Sequence, residues 1–251
     1  MAPGWRWIAC GAWLFLVAVA VSGCARSGLF EPEYEYEEEI YLSMDGSARV
    51  NVHASVASLI ALRGATFDPD PNARIDRDDV RRFFGAPDHP VSVSVARRDG
   101  RRFINASIEV DDVRAVSALA PFAWSEYRLE SRDDVLEYRQ RVGASAAAAG
   151  DGRGADVRDV RWTGQELVAF RMHLPSEVTF HNAPSGGIER GNILRWEQPL
   201  AERLEGRPLD IQVQFEATSI LANTLLLFGS ALVAALAALA GAVWWIRRSG
   251  Q

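Results

Sequence analysis

Lysine is absent from this chain: all 27 basic residues are arginine. Together with abundant Ala and Gly, this reads as the coding bias of a GC-rich genome rather than as a function. Cysteine is nearly absent too, with Cys10 and Cys24 both close to the start. Past Cys24 neither a disulfide nor a cysteine-based metal site can form, so the rest of the chain must stand on its core alone. Only four histidines occur, His53, His89, His173 and His181, and no carboxylate or cysteine is spaced with them as a ligand set. Positive charge is also short. Residues 24–218 hold 24 arginines against 33 carboxylates, a net charge of −9. An acidic domain of this kind is no nucleic-acid binder and no polybasic lipid clamp.

Two long apolar runs mark the ends. Residues 7–23 are apolar or small, Arg6 precedes them, and no acidic residue comes before Glu31. This is the layout of a secretory signal. Its exit, Val21-Ser22-Gly23-Cys24, resembles the bacterial lipobox. The resemblance implies that Cys24 takes a diacylglycerol, with further fatty acylation such as palmitate, and becomes the first mature residue. A cysteine that merely falls near a cleavage site, or an uncleaved helix, is the plainer alternative. Near the other end, Ile220 to Ile246 is a run of 27 residues without a charge, against the roughly 20 that a bilayer span needs. Trp244, Trp245, Arg247 and Arg248 follow in the order of an aromatic belt and a cytoplasmic positive end. The expected organisation is a signal peptide over 1–23, an extracytoplasmic β-rich domain over 24–218, a transmembrane helix over 219–246 and a cytoplasmic tail over 247–251. The expected location is the cytoplasmic membrane, with the main domain outside.

Between the ends, strands dominate. In "EYEYEEEIYLSM" the residues Tyr34, Tyr36, Ile40, Leu42 and Met44 share one face, and Glu33, Glu35, Glu37 and Glu39 the other. Period two predicts a half-buried strand. Asp45-Gly46 then reads as a two-residue hairpin turn with positive φ at both positions, followed by a strand through Val50 and Val52. The unit recurs as "VSVSVARRDGRRFINASIEV", with the turn at Asp99-Gly100. A third pair surrounds Ser131–Asp134, although its second half also reads as a helix. Short helices are predicted over 76–84 and 111–119, each opened by acidic residues. Residues 143–156 form a flexible break and a possible domain boundary. Strands resume around Val168–Leu174, Val178–Phe180, Leu194–Trp196 and Leu209–Ala217. The expected fold class is α+β, mainly antiparallel sheet with short helices, plus the C-terminal transmembrane helix.

The back half carries a family resemblance. "LPSEVTFHNAPSGGIERGNILRWEQPL", with Pro175, Val178 and Asn182 ahead of a strand ending in Trp196, resembles the LppM-type envelope lipoproteins of bacteria. Signal, lipobox, β-rich domain and C-terminal helix come in the same order. The resemblance implies a non-catalytic, β-rich fold able to hold lipid or glycolipid, and no particular site residue.

One loop has cation-site spacing. Asp68, Asp70, Asn72, Asp76 and Asp79 fall at positions 1, 3, 5, 9 and 12 of a calcium loop. Against it stand Ala73 where a tight turn wants Gly, a short Asp at the last position, and the stiff Pro69 and Pro71. A Pro/Asp turn leading into a capped helix explains the same residues. No serine sits in a Gly-x-Ser-x-Gly elbow, and "GDGRG" at 150–154 follows no strand, so it is no phosphate loop. Asn105-Ala106-Ser107 matches a glycosylation sequon in mid-strand. The glutamate stripe reads as a solvated strand face, or a guard against edge pairing. The aromatics Trp124, Tyr127, Tyr138, Trp162, Phe170, Phe180 and Trp196 read as core, or as a lining that encloses an acyl chain.

The reading that follows is non-enzymatic: an envelope domain, bound to membrane lipid, that holds a lipid, a glycolipid or another envelope protein. No catalytic residue, nucleic acid or obligatory cofactor is expected, and calcium is the one candidate ion. An envelope hydrolase and a structural subunit of a membrane complex are the alternatives.

Overall fold

A computed structural model describes residues 34–85, 89–146, 162–189, 192–217 and 220–249. The signal, Cys24 and most of the 143–156 break lie outside the described residues. Residues Tyr34–Gln251 belong to one compact unit.

Period-two alternation does build the first strand, β1 (Tyr34–Leu42), which pairs antiparallel with β2 (Ala48–Ser55). Their connection departs from the expected two-residue turn. Only Gly46 takes a positive φ, 88°. The loop spans Ser43–Ser47, closed by Ser43 N–H on the Ser47 carbonyl at 2.9 Å and by Asp45 Oδ1, which accepts from Ser47 N–H at 3.0 Å. At Asp99 and Gly100 both φ are positive, 51° and 74°. That is the geometry of a type I′ hairpin, and it joins β3 (Val91–Arg98) to β4 (Arg101–Val110).

The chain after β2 turns helical. Ser55 Oγ caps α1 (Val56–Arg63) by accepting from Ser58 N–H at 3.0 Å. Gly64, with φ 65°, closes it: its N–H donates to the Ile60 carbonyl and the following Ala65 N–H to the Leu59 carbonyl. "VASLIAL" is apolar on every side because the helix is buried all round, so it shows no helical stripe in sequence. The next helix, α2 (Arg77–Phe84), is capped by Asp76 as expected. The predicted helix over 111–119 is two 3₁₀ turns, Val113–Ala118 and Ala120–Phe122. The third pair is strand on both sides, β5 (Ser125–Arg132) and β6 (Val135–Val142). Then follow β7 (Leu167–His173), β8 (Val178–His181), β9 (Ile188–Glu189), β10 (Ile193–Pro199), the short α3 (Leu200–Leu204) and β11 (Leu209–Glu216).

These strands form two sheets, of seven (β3-β4-β2-β1-β7-β10-β9) and four (β5-β6-β11-β8). Pairing is antiparallel except between β1 and β7, which run parallel. One apolar cluster takes residues from both sheets: Tyr36, Ile40, Val52, Ile104, Phe170 and Trp196 from the larger, Tyr138, Val213 and Phe215 from the smaller.

The expected fold class needs correction. The described residues are β-rich, with two sheets and few helices. Residues Ile220–Ser249 do form a helix, α4, of 30 residues, with Leu225, Leu227, Phe228 and Leu232 exposed. Among the described residues, however, no helix is long and apolar enough to cross a membrane, which overturns the expected transmembrane helix. Ala, Gly, Ser, Asn and Thr are interleaved with the leucines of that run, and such small or polar side chains gain little from leaving water.

Candidate functional site

The two faces of β1 carry different chemistry. On the inner face, between Tyr36 and Ile40, lies Glu38, a position that continues the apolar face in register. Its carboxylate is fully buried and ion-paired to Arg63 of α1 at 3.1 Å. Tyr127 O–H and Gln140 N–H, both from the smaller sheet, donate to Oε1 at 2.8 Å. Tyr36 O–H donates to Oε2 at 2.9 Å. One carboxylate thus ties both sheets and a helix together. Burial pushes the Tyr36, Tyr127 and Tyr138 hydroxyls well up from their ordinary range, so all three stay protonated donors. Arg63 lies over the Trp124 and Tyr36 rings. Arg203 of α3, also fully buried, lies over Trp124 and donates to the Arg207 and Gly143 carbonyls. Burial, with Arg63 nearby, pushes the Arg203 guanidinium down to about 10.

Beside this network the space between the sheets is filled. The region bounded by Glu38, Ile40, Tyr138, Phe170, Trp196 and Ile211 has 0 Å³ of room for a water. Tyr127, Tyr138, Phe170 and Trp196 are buried core and Trp124 and Trp162 pack against it, while Phe180 is 45% exposed. These aromatics do not enclose an acyl chain there.

The outer face of β1 opens onto a groove of about 730 Å³, lined by Glu37, Glu39, His53, Asn105, Ser94 and Glu109 among others. Register builds it. Glu37 stands opposite His53 of β2, His53 opposite Asn105 of β4, and Asn105 opposite Ser94 of β3. Asn105 donates from Nδ2 to Ser94 Oγ at 3.1 Å, and its Oδ1 meets His53 Nδ1. The His53 ring stacks on Phe103 with centroids 5.2 Å apart. On the other side of β1, Arg171 of β7 holds Glu37 at 2.8 Å and Glu39 at 3.7 Å. His173 Nε2 meets Glu39 Oε1 at 2.6 Å, and Tyr41 stacks on its ring at 3.9 Å. Glu189 and Glu197 extend the network through Arg195.

The glutamate stripe is therefore no simple solvated face. Glu35 is fully buried and paired with Arg101. Burial pushes the Glu37 carboxyl up from its ordinary value; Arg171 opposes the shift and Glu39 adds to it. Glu37 Oε1 is buried and accepts no aligned hydrogen bond among the described residues. Arg171 is held above its usual range: burial works against it, and the three carboxylates Glu37, Glu189 and Glu39 overcome it. A shallow surface so rich in fixed acceptors and donors, with stacked rings at two points, suits a ligand bearing many hydroxyl groups.

The calcium-spaced residues are engaged locally. Asp68 Oδ1 accepts from Asp70 N–H at 2.9 Å, Asp70 Oδ1 from Asn72 N–H at 2.8 Å, and Asp76 Oδ1 from Asp78 N–H at 2.8 Å. Asp79 pairs with Arg82. Among the described residues no three His, Cys, Asp or Glu side chains are placed to hold a metal. His173 and His181 lie on different sheets. Asn105 of the sequon faces the groove.

Glu38 was legible by parity, since it lies between Tyr36 and Ile40. Arg171, His173 and Arg195 were legible as alternate positions of β7 and β10. Only the placing of β7 beside β1, and of β10 beside β7, was hidden.

No family model matches the chain, and no curated protein matches it. Among solved structures, the folded domain of Mycobacterium tuberculosis LppM, determined by NMR, is similar, with 15% identity, a TM-score of 0.43, and coverage of 78% of this chain and 98% of that one. At this level the likeness assigns neither a family nor a function.

Proposed function

We propose that this chain is a non-enzymatic binding protein of the bacterial envelope, held outside the cytoplasm through an acylated Cys24. Its outer sheet face binds the hydroxyl-rich headgroup of a glycolipid. The groove over Glu37, Glu39, His53 and Asn105 carries the reading: its volume falls within the range of ligand sites, most of its lining residues are polar, with Val52, Val93 and Ala106 between them, and the neighbouring interior leaves no room for an acyl chain. The lipobox-like Val21-Ser22-Gly23-Cys24 supports the location. Titration with glycolipid headgroup sugars, followed by amide chemical shifts, should move resonances of β1, β2 and β4. A fatty acid used alone should leave them in place. Shifts confined to the fatty-acid titration would refute headgroup recognition. For the anchor, Cys24→Ala should abolish labelling by a fatty-acid probe.

A hydrolase is the second reading, and Glu37 is what favours it. A carboxyl whose protonation is favoured by burial, beside a second carboxyl, is an acid/base arrangement. Release of sugar from a glycoside by the wild type and not by Glu37→Gln would establish that reading instead.

A further inference from the structure

The acidic total conceals a local reversal of charge. The loop ahead of α2 and the edge strand β3 bound a second groove of about 1120 Å³. Five arginines line it, Arg74, Arg77, Arg81, Arg97 and Arg102, against two carboxylates, Asp76 and Asp78. Both carboxylates are committed: Asp76 caps α2 and Asp78 pairs with Arg81. Several exposed arginines elsewhere among the described residues have acidic partners. Arg49 meets Glu109, Arg114 meets Asp112, Arg128 meets Glu126 and Arg132 meets Glu130. Arg74, Arg77 and Arg97 are exposed and make no ion pair or side-chain hydrogen bond among the described residues.

The groove is built rather than accidental. Arg102, only 5% exposed, donates to the Ala73 carbonyl at 2.9 Å and to the Asp68 carbonyl. It pins the loop that carries Arg74 against β4. Its cross-strand partner is Arg97, and like charges directly opposite in a sheet are unfavourable without a counter-charge. Burial lowers the Arg102 guanidinium from its usual range; Asp68 and Asp70 oppose the shift and Arg97 adds to it, so those two carboxylates offset part of the crowding. Ile75 and Val95 supply an apolar strip beside the cations.

We propose that this groove is a binding site for a phosphate ester, with Arg74, Arg77 and Arg97 as its ligands and Arg102 as the residue that positions them. Guanidinium forks match the paired oxygens of phosphate, and the apolar strip suits the carbon side of an ester. Val95 and Arg97 alternate with Ser92 and Ser94, so the site uses the opposite face of β3 from the polar groove and stands independently of it.

The test uses the full chain. Inorganic phosphate and glycerol phosphate are titrated by calorimetry, and vesicles of phosphatidylcholine with or without phosphatidylglycerol are tested by co-sedimentation. Arg74→Gln/Arg77→Gln/Arg97→Gln should stay folded by circular dichroism and lose affinity about tenfold or more, or 1.4 kcal/mol. Arg97→Gln alone should lose part of it. Arg114→Gln/Arg128→Gln/Arg132→Gln removes the same charge elsewhere and should change nothing. Binding of soluble phosphates that the first triple variant loses identifies a free ester as the source. Binding only to phosphatidylglycerol vesicles, lost in the same variant, identifies a lipid headgroup. No binding to any probe, or equal loss in both triple variants, overturns the site.

Discussion

The inner and outer faces of β1 use the same residue type to opposite ends. Glu38 points inward, is excluded from water and is matched by Arg63, two tyrosine hydroxyls and one amide. Glu37 and Glu39 point outward, remain partly wet and share Arg171. The inner acid has a complete set of donors from four elements, so its removal strands a buried cation. The outer acids are part of an open lattice that water can re-satisfy. Structure therefore depends on the first, and the proposed headgroup recognition on the second.

That contrast predicts a large loss for Glu38→Ala. Leaving Arg63 buried and unpaired should cost about 3–5 kcal/mol in urea unfolding. Replacing the pair, as Glu38→Leu with Arg63→Met, should recover most of it, because two apolar side chains need no donors. A loss below about 1 kcal/mol for Glu38→Ala, the usual size for an exposed pair, would erase the distinction between the faces.

An intermediate effect is expected at Glu166, whose carboxylate closes the turn before β7. Burial works to raise its pKa, but the Thr163 and Gly164 backbone N–H groups bind the charged form and the net shift is downward; Gly164 N–H lies 2.8 Å from Oε2. A lowered carboxylate stabilises the fold above its unfolded pKa, about 4.3, and that contribution is lost as pH falls through the folded value. Glu166→Gln should therefore cost about 1–2 kcal/mol at pH 7 and lose its effect in acid. A cost that does not fade on acidification would assign the role to packing rather than charge.

On the outer face, Glu37→Gln/Glu39→Gln should cost less than about 1 kcal/mol. It should weaken headgroup binding about tenfold, as read from the chemical-shift titration. Unfolding of this variant would sharpen the comparison in the other direction, making the outer lattice structural. The smallest effect is predicted at Asp68 to Asp79: calcium should leave the melting temperature unchanged, because those carboxylates already accept from backbone N–H groups or meet arginines. A clear calcium-dependent rise would show that those bonds yield to an ion.

Much of the chain was readable locally. Alternation marked β1, β3, β4 and β11, the Asp99-Gly100 pair marked a type I′ hairpin, and Asp76 marked the start of α2. The site was less so. The glutamate stripe was visible as a pattern, but its meaning changed when β7 arrived beside it in parallel, bringing Arg171 and His173 to positions opposite Glu39 and Tyr41. α1 was missed because full burial removes the polar face from which a helical period is read. The basic groove was missed because charge was summed over the chain, whereas binding depends on which charges share a few ångströms.

By itself the sequence determined the turns, the caps and the parity of each strand, since these depend on residues a few positions apart and on backbone sterics. Only the tertiary structure decided which face of β1 went inside, which arginine met which carboxylate and that Arg74, Arg77 and Arg97 met none among the described residues. Those outcomes depend on partners more than a hundred residues away, as with Glu38 and Gln140, and on the removal of water that gives a buried charge its cost.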